Sequence, residues 1–327
     1  MVRTSLFFIG LCFVLFLFLT GCSDVNQLPQ PADEQTVKAE LNSELARIMA
    51  CYQKALLTDN PAAVDDLIKV LNSFDKKYNS SLAEKFKGFL AQNQSRLTEP
   101  IVDFPPLTNL PIKTDGDVYL SGGANSLAGF LIDWVSPNVT AGNYNHGAVL
   151  DLDKFDPTDL EAPCFQTALE KGAAYETPQH WMTKQNVAVL SSVTALNKTA
   201  LDAAQKTMDY YCDPGNTNMQ YGFFKDYINF FDMVEKNDNY YWYCTKTVWR
   251  VYNSMGIDID SNTALIDWTT SGLYDVVKTF YNVIYFWSKK RATQALQDFI
   301  NNARNTIVLS EEIYYSPHLK LYYEVIR

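Results

Sequence analysis

The apolar residues of this chain change their period near residue 112, and that change restricts the fold more than any other feature. Upstream, Val37, Leu41, Leu45, Ile48, Met49 and Tyr52 recur at three-to-four spacing, which predicts an amphipathic helix over 36–57. Asn60 and Pro61 form a cap and first-turn pair that opens a second helix through Val64, Leu67, Ile68, Val70 and Leu71. A third, over 80–93, carries Leu82, Phe86, Phe89 and Leu90. A proline-broken stretch at 100–111 follows, and then the period becomes two. Candidate strands fall at 117–121, 147–153, 164–169 and 186–192. Helical spacing returns at 198–211, 222–234, 243–255, 271–287 and 291–304, with a last extended pair at 306–309 and 319–325. Clustered strands beside grouped helices predict an α+β fold rather than repeated βαβ units. The expected organisation is a helical appendage at 36–99 ahead of a mixed domain at 100–327, with inserted helices near 262–305. A stalk, a cover and a partner surface are all roles the appendage can fill.

The first residues belong to export, not to the fold. Arg3 precedes an apolar run over 6–19 that ends in Leu19-Thr20-Gly21-Cys22 and turns polar at Ser23 and Asp24. Small residues directly before a cysteine resemble the cleavage box of bacterial lipoproteins. That resemblance implies a signal peptide at 1–21, lipid on Cys22 and a polar tether at 22–35. Several acyl chains are needed for lasting membrane attachment, because one binds only marginally. The expectation is a lipid-anchored domain of the bacterial cell envelope, outside the cytoplasm. An uncleaved membrane anchor is the competing reading.

Charge excludes one class of partner. With 27 Lys+Arg against 37 Asp+Glu the chain carries a formal charge of -10, and no basic cluster suited to phosphate stands out, so nucleic acid is not an expected partner. An exported chain can form disulfides, but only Cys51, Cys164, Cys212 and Cys244 remain in the expected body, and their three possible pairings stay open. No cysteine pair has metal-ligand spacing and there are three histidines, so no metal or cofactor is expected.

Cys244 and His146 are the residues suited to chemistry. Cys244 lies in the run YYWYCTKTVW over 240–249, where Val248, Trp249, Tyr252 and Met255 share a helical face. Its thiol therefore stands near a helix N-terminus, where unpaired amides stabilise a thiolate and can receive an oxyanion. A free cysteine among aromatics serves equally well as a small core hydrophobe. His146, in YNHGAVLDL over 144–152, opens an alternating strand beside a glycine. His180 and His318 fall in loops.

Taken together, these segments resemble the circularly permuted papain-like hydrolases, the YiiX and poxvirus-G6-like group related to NlpC/P60 peptidases. DGDVYL at 115–120 matches the family's opening Gly-Asp turn, NHGAVL at 145–150 its histidine strand, and YCTKTVW at 243–249 its nucleophile helix. YETP at 175–178 resembles its acidic strand end, and the closing segment over 309–323 is also similar. Thr245 and Lys246 depart from the family's Ser and Glu, and the lysine reverses a charge beside the nucleophile.

What the resemblance implies is a permuted papain-like domain acting as a cysteine peptidase or amidase. Cys244 would be nucleophile, His146 general base and Glu176 the group orienting the imidazole, with the Cys244 amide as an oxyanion donor. Asp117, Tyr243 and Thr245 would support the site, Asp117 by bracing the opening turn. Thioester hydrolysis of an amide or related acyl bond is the expected reaction, on cell-wall peptide, N-acyl or lipid substrates. A catalytically inactive envelope binding or structural module on the same fold is the alternative. It would show itself by a Cys244 that is buried, oxidised with Cys212, or out of reach of His146.

Overall fold

The computed structural model describes residues 34–58, 60–92, 104–122, 127–137, 144–169, 172–216, 218–222 and 234–327. The apolar run at 6–19, Cys22 and the expected helix at 222–234 lie wholly or largely outside them. Two units divide the chain, Met1–Lys38 and Ala39–Arg327. Of the first, only the opening of helix α1 is described. Among the described residues no helix is long and apolar enough to cross a membrane.

Three helices open the larger unit: α1 (Glu34–Thr58), α2 (Pro61–Tyr78) and α3 (Leu82–Gln92). The Asn60 side chain accepts from Ala62 N, and Pro61 takes the first helical position where no amide is needed. Asn79 in a left-handed conformation closes α2. Leu41, Leu45, Leu67, Phe74 and Phe86 are fully buried in one core cluster with residues of the sheet and the later helices.

A six-stranded sheet follows in the order β4-β3-β2-β1-β5-β8, with every pairing antiparallel. Its strands are β1 (Val118–Gly122), β2 (Tyr144–Leu150), β3 (Phe165–Leu169), β4 (Gly172–Glu176), β5 (Asn186–Ser192) and β8 (Leu319–Val325). The short β6 (Gln220–Tyr221) and β7 (Tyr241–Trp242) form a separate parallel pair. Helix α4 (Leu127–Val135) intervenes after β1, α5 (Pro178–Met182) after β4 and α6 (Lys198–Cys212) after β5. Helix α7 (Cys244–Ser254) lies against the sheet, and α8 (Gly272–Ile284), α9 (Lys289–Thr306) and α10 (Ser310–Tyr314) complete the chain. The architecture is a mixed α+β globular fold.

Alternation along the strands sorts the sheet into two faces. Val118, Leu120, Val149, Ala188 and Leu190 join the large core, while Tyr119, Ala148, Leu150, Val187 and Val189 join a smaller one around Trp181. Residues 306–309, expected to be extended, form no strand. Their backbone is engaged by side chains instead: Val308 N donates to Tyr243 Oη at 3.2 Å and Val308 O accepts from Thr245 Oγ1 at 2.6 Å.

Candidate functional site

Strand β2 and helix α7 bring two of the expected site residues together. Gly147 makes their close approach possible: a Cβ there would meet Leu120 Cδ2 at 3.3 Å, Thr245 Cγ2 at 3.4 Å and Val248 Cγ2 at 3.5 Å. Thr247 Oγ1 donates to Thr167 O at 3.1 Å and Thr167 Oγ1 to Gly147 O at 2.6 Å, tying the helix to β3 and β3 to β2. Tyr252 Oη reaches Gly116 O at 2.7 Å and holds the far end of α7 to the turn before β1.

Cys244 opens α7 and is 2% exposed. Its Sγ lies 3.9 Å from Asn145 O. Burial opposes ionisation, but the charge and hydrogen bond of His146 and the amides of Gly147 and Thr245 hold the thiol below its ordinary value. His146 Nε2 stands 2.8 Å from Glu176 Oε2, and its ring stacks on Trp181 with centroids 5.7 Å apart. Burial lowers the His146 pKa, yet Glu176 and Cys244 raise it further, to about 9. Glu176 is itself buried. Its carboxyl nonetheless falls well below the usual range, because His146, Lys184 and the hydrogen bond from His180 outweigh the burial. Thiol, imidazole and carboxylate therefore form an electrostatically linked row inside the protein.

Other expected positions have different duties. Asp117 is buried and its carboxylate accepts from the hydroxyls of Ser191 and Tyr322, so it braces β1 against β5 and β8. Tyr243 caps α7 through its backbone and receives Val308 N on its hydroxyl. Thr245 is buried on Val308 O. Lys246 is fully buried, donates to Tyr241 O at 2.6 Å and lies 5.1 Å from the centre of the Trp242 ring. Cys51, Cys164, Cys212 and Cys244 are all free, and burial raises the Cys164 thiol to about 12.

Three features escaped the sequence reading. Tyr221 is buried and shares a hydrogen bond with Cys244. Beside it opens a pocket lined by Gly222 and by Met49, Tyr52, Leu56, Trp268, Leu273 and Leu309, with Gln53 and Ser136 among its walls. The indole N–H of Trp268 has no acceptor among the described residues. The third feature is a group of carboxylates, Asp115, Asp153 and Asp202, whose ligand oxygens lie within 4.8 Å of one another. They come from three separate segments, which is why no local spacing shows them.

No family model and no curated protein matches the chain. Among solved structures it is similar to the metalloprotein yiiX of Escherichia coli O157:H7 (DUF1105), at 14% identity and a TM-score of 0.41, over 66% of this chain and 100% of that one. That is a distant, partial match.

The expectation of a cysteine peptidase or amidase working through a thioester is corrected by the site. A nucleophilic sulfur has to reach the substrate's acyl carbon, and Cys244 is 2% exposed. The ligand-type cluster near the surface is of another chemistry: Asp115, Asp153 and Asp202 offer the hard oxygens that suit Ca²⁺ or Mg²⁺ rather than a thiol mechanism. A cation there would have to displace Lys198, whose ammonium sits 3.0, 2.8 and 2.5 Å from the three carboxylates. The lysine fills the centre of the cluster, so the residues do not fit a resident metal without rearrangement. The cysteine-peptidase, thiol-protease and thiol-amidase assignments are the ones that fall.

Proposed function

We propose that the chain is a membrane-tethered, non-catalytic binding module that holds an apolar chain carrying a hydrogen-bond acceptor. One observation supports the reading above all: the pocket is walled mostly by apolar side chains, among them Met49, Leu56, Leu273 and Leu309, with Gln53 and Ser136 as its polar side chains. Sites of this kind take their affinity from apolar burial and their orientation from a few polar atoms. A fatty-acyl ester or carboxylate supplies both. Such a ligand is at hand for a protein that the lipoprotein-like box at Cys22 would anchor in the envelope.

In this reading Cys244, His146 and Glu176 are structural. Their linked row fixes the start of α7 against β2, and Tyr221 joins it to the pocket, being close to both Cys244 and Tyr52. A buried ion pair of this kind is worth little net stability, but removing one partner leaves an uncompensated charge.

The test uses the full chain in detergent, titrated with cis-parinaric acid as a fluorescent apolar probe. Saturable binding is expected, abolished by Leu273→Trp, which fills the cavity. Cys244→Ser should retain it. Binding that ignores Leu273→Trp would overturn the reading. So would turnover of any amide or ester that Cys244→Ser abolishes.

A further inference from the structure

We propose that the turn joining α8 to α9 is a contact site for an anionic lipid surface. Phe286 is 78% exposed and Trp287 40%, at the point where the buried face of α8 ends with Ile284. Their rings meet edge to face with centroids 5.0 Å apart. Tyr285 lies 6.0 Å from Trp287 and stacks on Tyr281, so the aromatic surface continues back along α8. Large rings of this kind left in water mark a contact surface when they are contiguous.

Charge identifies the partner. Lys289, Lys290 and Arg291 follow directly and are all exposed, in a chain whose formal charge is -10. None has a carboxylate within ion-pair distance among the described residues. They occupy the first turn of α9, where the helix dipole favours acidic groups and disfavours cations. Ser288 caps that turn, its hydroxyl accepting from Arg291 N at 3.4 Å. The three cations thus oppose the stability of the helix that carries them, and an external anionic surface accounts for them. Aromatic rings settle at the headgroup level of a bilayer, and adjacent Lys and Arg are drawn to anionic lipid. A surface of this composition supplies a second attachment beside the N-terminal anchor. The inference stands apart from the cavity and survives its failure.

The experiment reconstitutes the full chain in vesicles of phosphatidylcholine, with and without phosphatidylglycerol, using brominated lipids as quenchers. The Trp287 contribution is the difference between the native chain and Trp287→Phe. In anionic vesicles that contribution should be quenched several-fold more than in neutral ones. High salt, the K289E/K290E/R291E chain and Phe286→Ser should each remove the excess, with far-ultraviolet dichroism unchanged. Equal Trp287 emission over brominated and ordinary lipid would overturn the proposal. Quenching that is the same in neutral vesicles and indifferent to the triple variant would overturn it too, since proximity through the anchor then suffices. A protein partner would leave Trp287 unquenched in either membrane.

Discussion

His146 Nε2 lies 2.8 Å from Glu176 Oε2, while the other oxygen of that carboxylate faces His180 at 3.1 Å and Lys184 at 3.5 Å. One buried carboxylate thus gathers three nitrogen-bearing side chains, with His146 passing its charge on towards Cys244.

Glu176→Gln should uncouple this arrangement. The His146 pKa, raised to about 9, should fall towards that of a free histidine, about 6.5. Sign follows from linkage: a raised folded pKa contributes stability fully below about pH 6.5 and loses it as pH rises through about 9. The His146 contribution to native stability, read by urea unfolding, should therefore decline across that window, partly offset by the lowered Cys244 thiol. The variant should be less stable at neutral pH and flatter over the same range. Proton NMR of the imidazole gives the midpoint directly.

Gly147→Ala should destabilise the protein by about 1 kcal/mol. Its methyl group would crowd Leu120 Cδ2 at 3.3 Å, while Thr245 and Val248 on α7 stand at ordinary contact distance. Equilibrium urea denaturation measures the loss, and a stability equal to that of the native chain would show the contact to be slack.

Glu311 supplies a second pH dependence. It is 2% exposed, and burial, helped by the charge of Asp133, raises its carboxyl to about 8. A carboxyl raised in this way favours the fold most below about pH 4.3, and that favour is lost as pH rises through about 8. Glu311→Gln should raise the melting temperature more at pH 8.5 than at pH 4.5, as followed by calorimetry.

The carboxylate cluster makes the fourth case. Lys198→Ala leaves Asp115, Asp153 and Asp202 without their shared ammonium. Millimolar Ca²⁺ should then raise the melting temperature of the variant by mass action and leave the native chain nearly unchanged. An equal rise in both would show that the metal enters despite the lysine.

Legibility from sequence differed by element. Strand β5 reads clearly because Val187, Val189 and their neighbours are β-branched and lie between polar boundaries. Strand β4 was recognisable only at its acidic end, since GAAYE over 172–176 lacks β-branched residues and owes its form to pairing with β3. Helix α10 has five residues, too few for a period to show. Residues 307–308 have strand-like composition, yet Tyr243 and Thr245 claim their backbone. The candidate site was uneven in the same way. Cys244 and His146 stand in short distinctive runs, whereas the cavity draws its walls from residues 49 to 309 and no local pattern encodes it. The burial of Cys244 is also a property of the assembled chain: Tyr221, nearly absent from the sequence argument, bonds to it from β6.

The most direct test of the central claim compares alkylation of Cys244 and Cys51 in the folded full chain, followed by mass spectrometry across pH. The Cys244 thiol is held below its ordinary value yet is 2% exposed, while Cys51 is half-buried. The account predicts that Cys244 labels far more slowly than Cys51 at every pH in native protein, and catches up only in denaturant. Rapid labelling of Cys244 below pH 7, ahead of Cys51 and lost in His146→Ala, would contradict it and reveal an open, activated thiol.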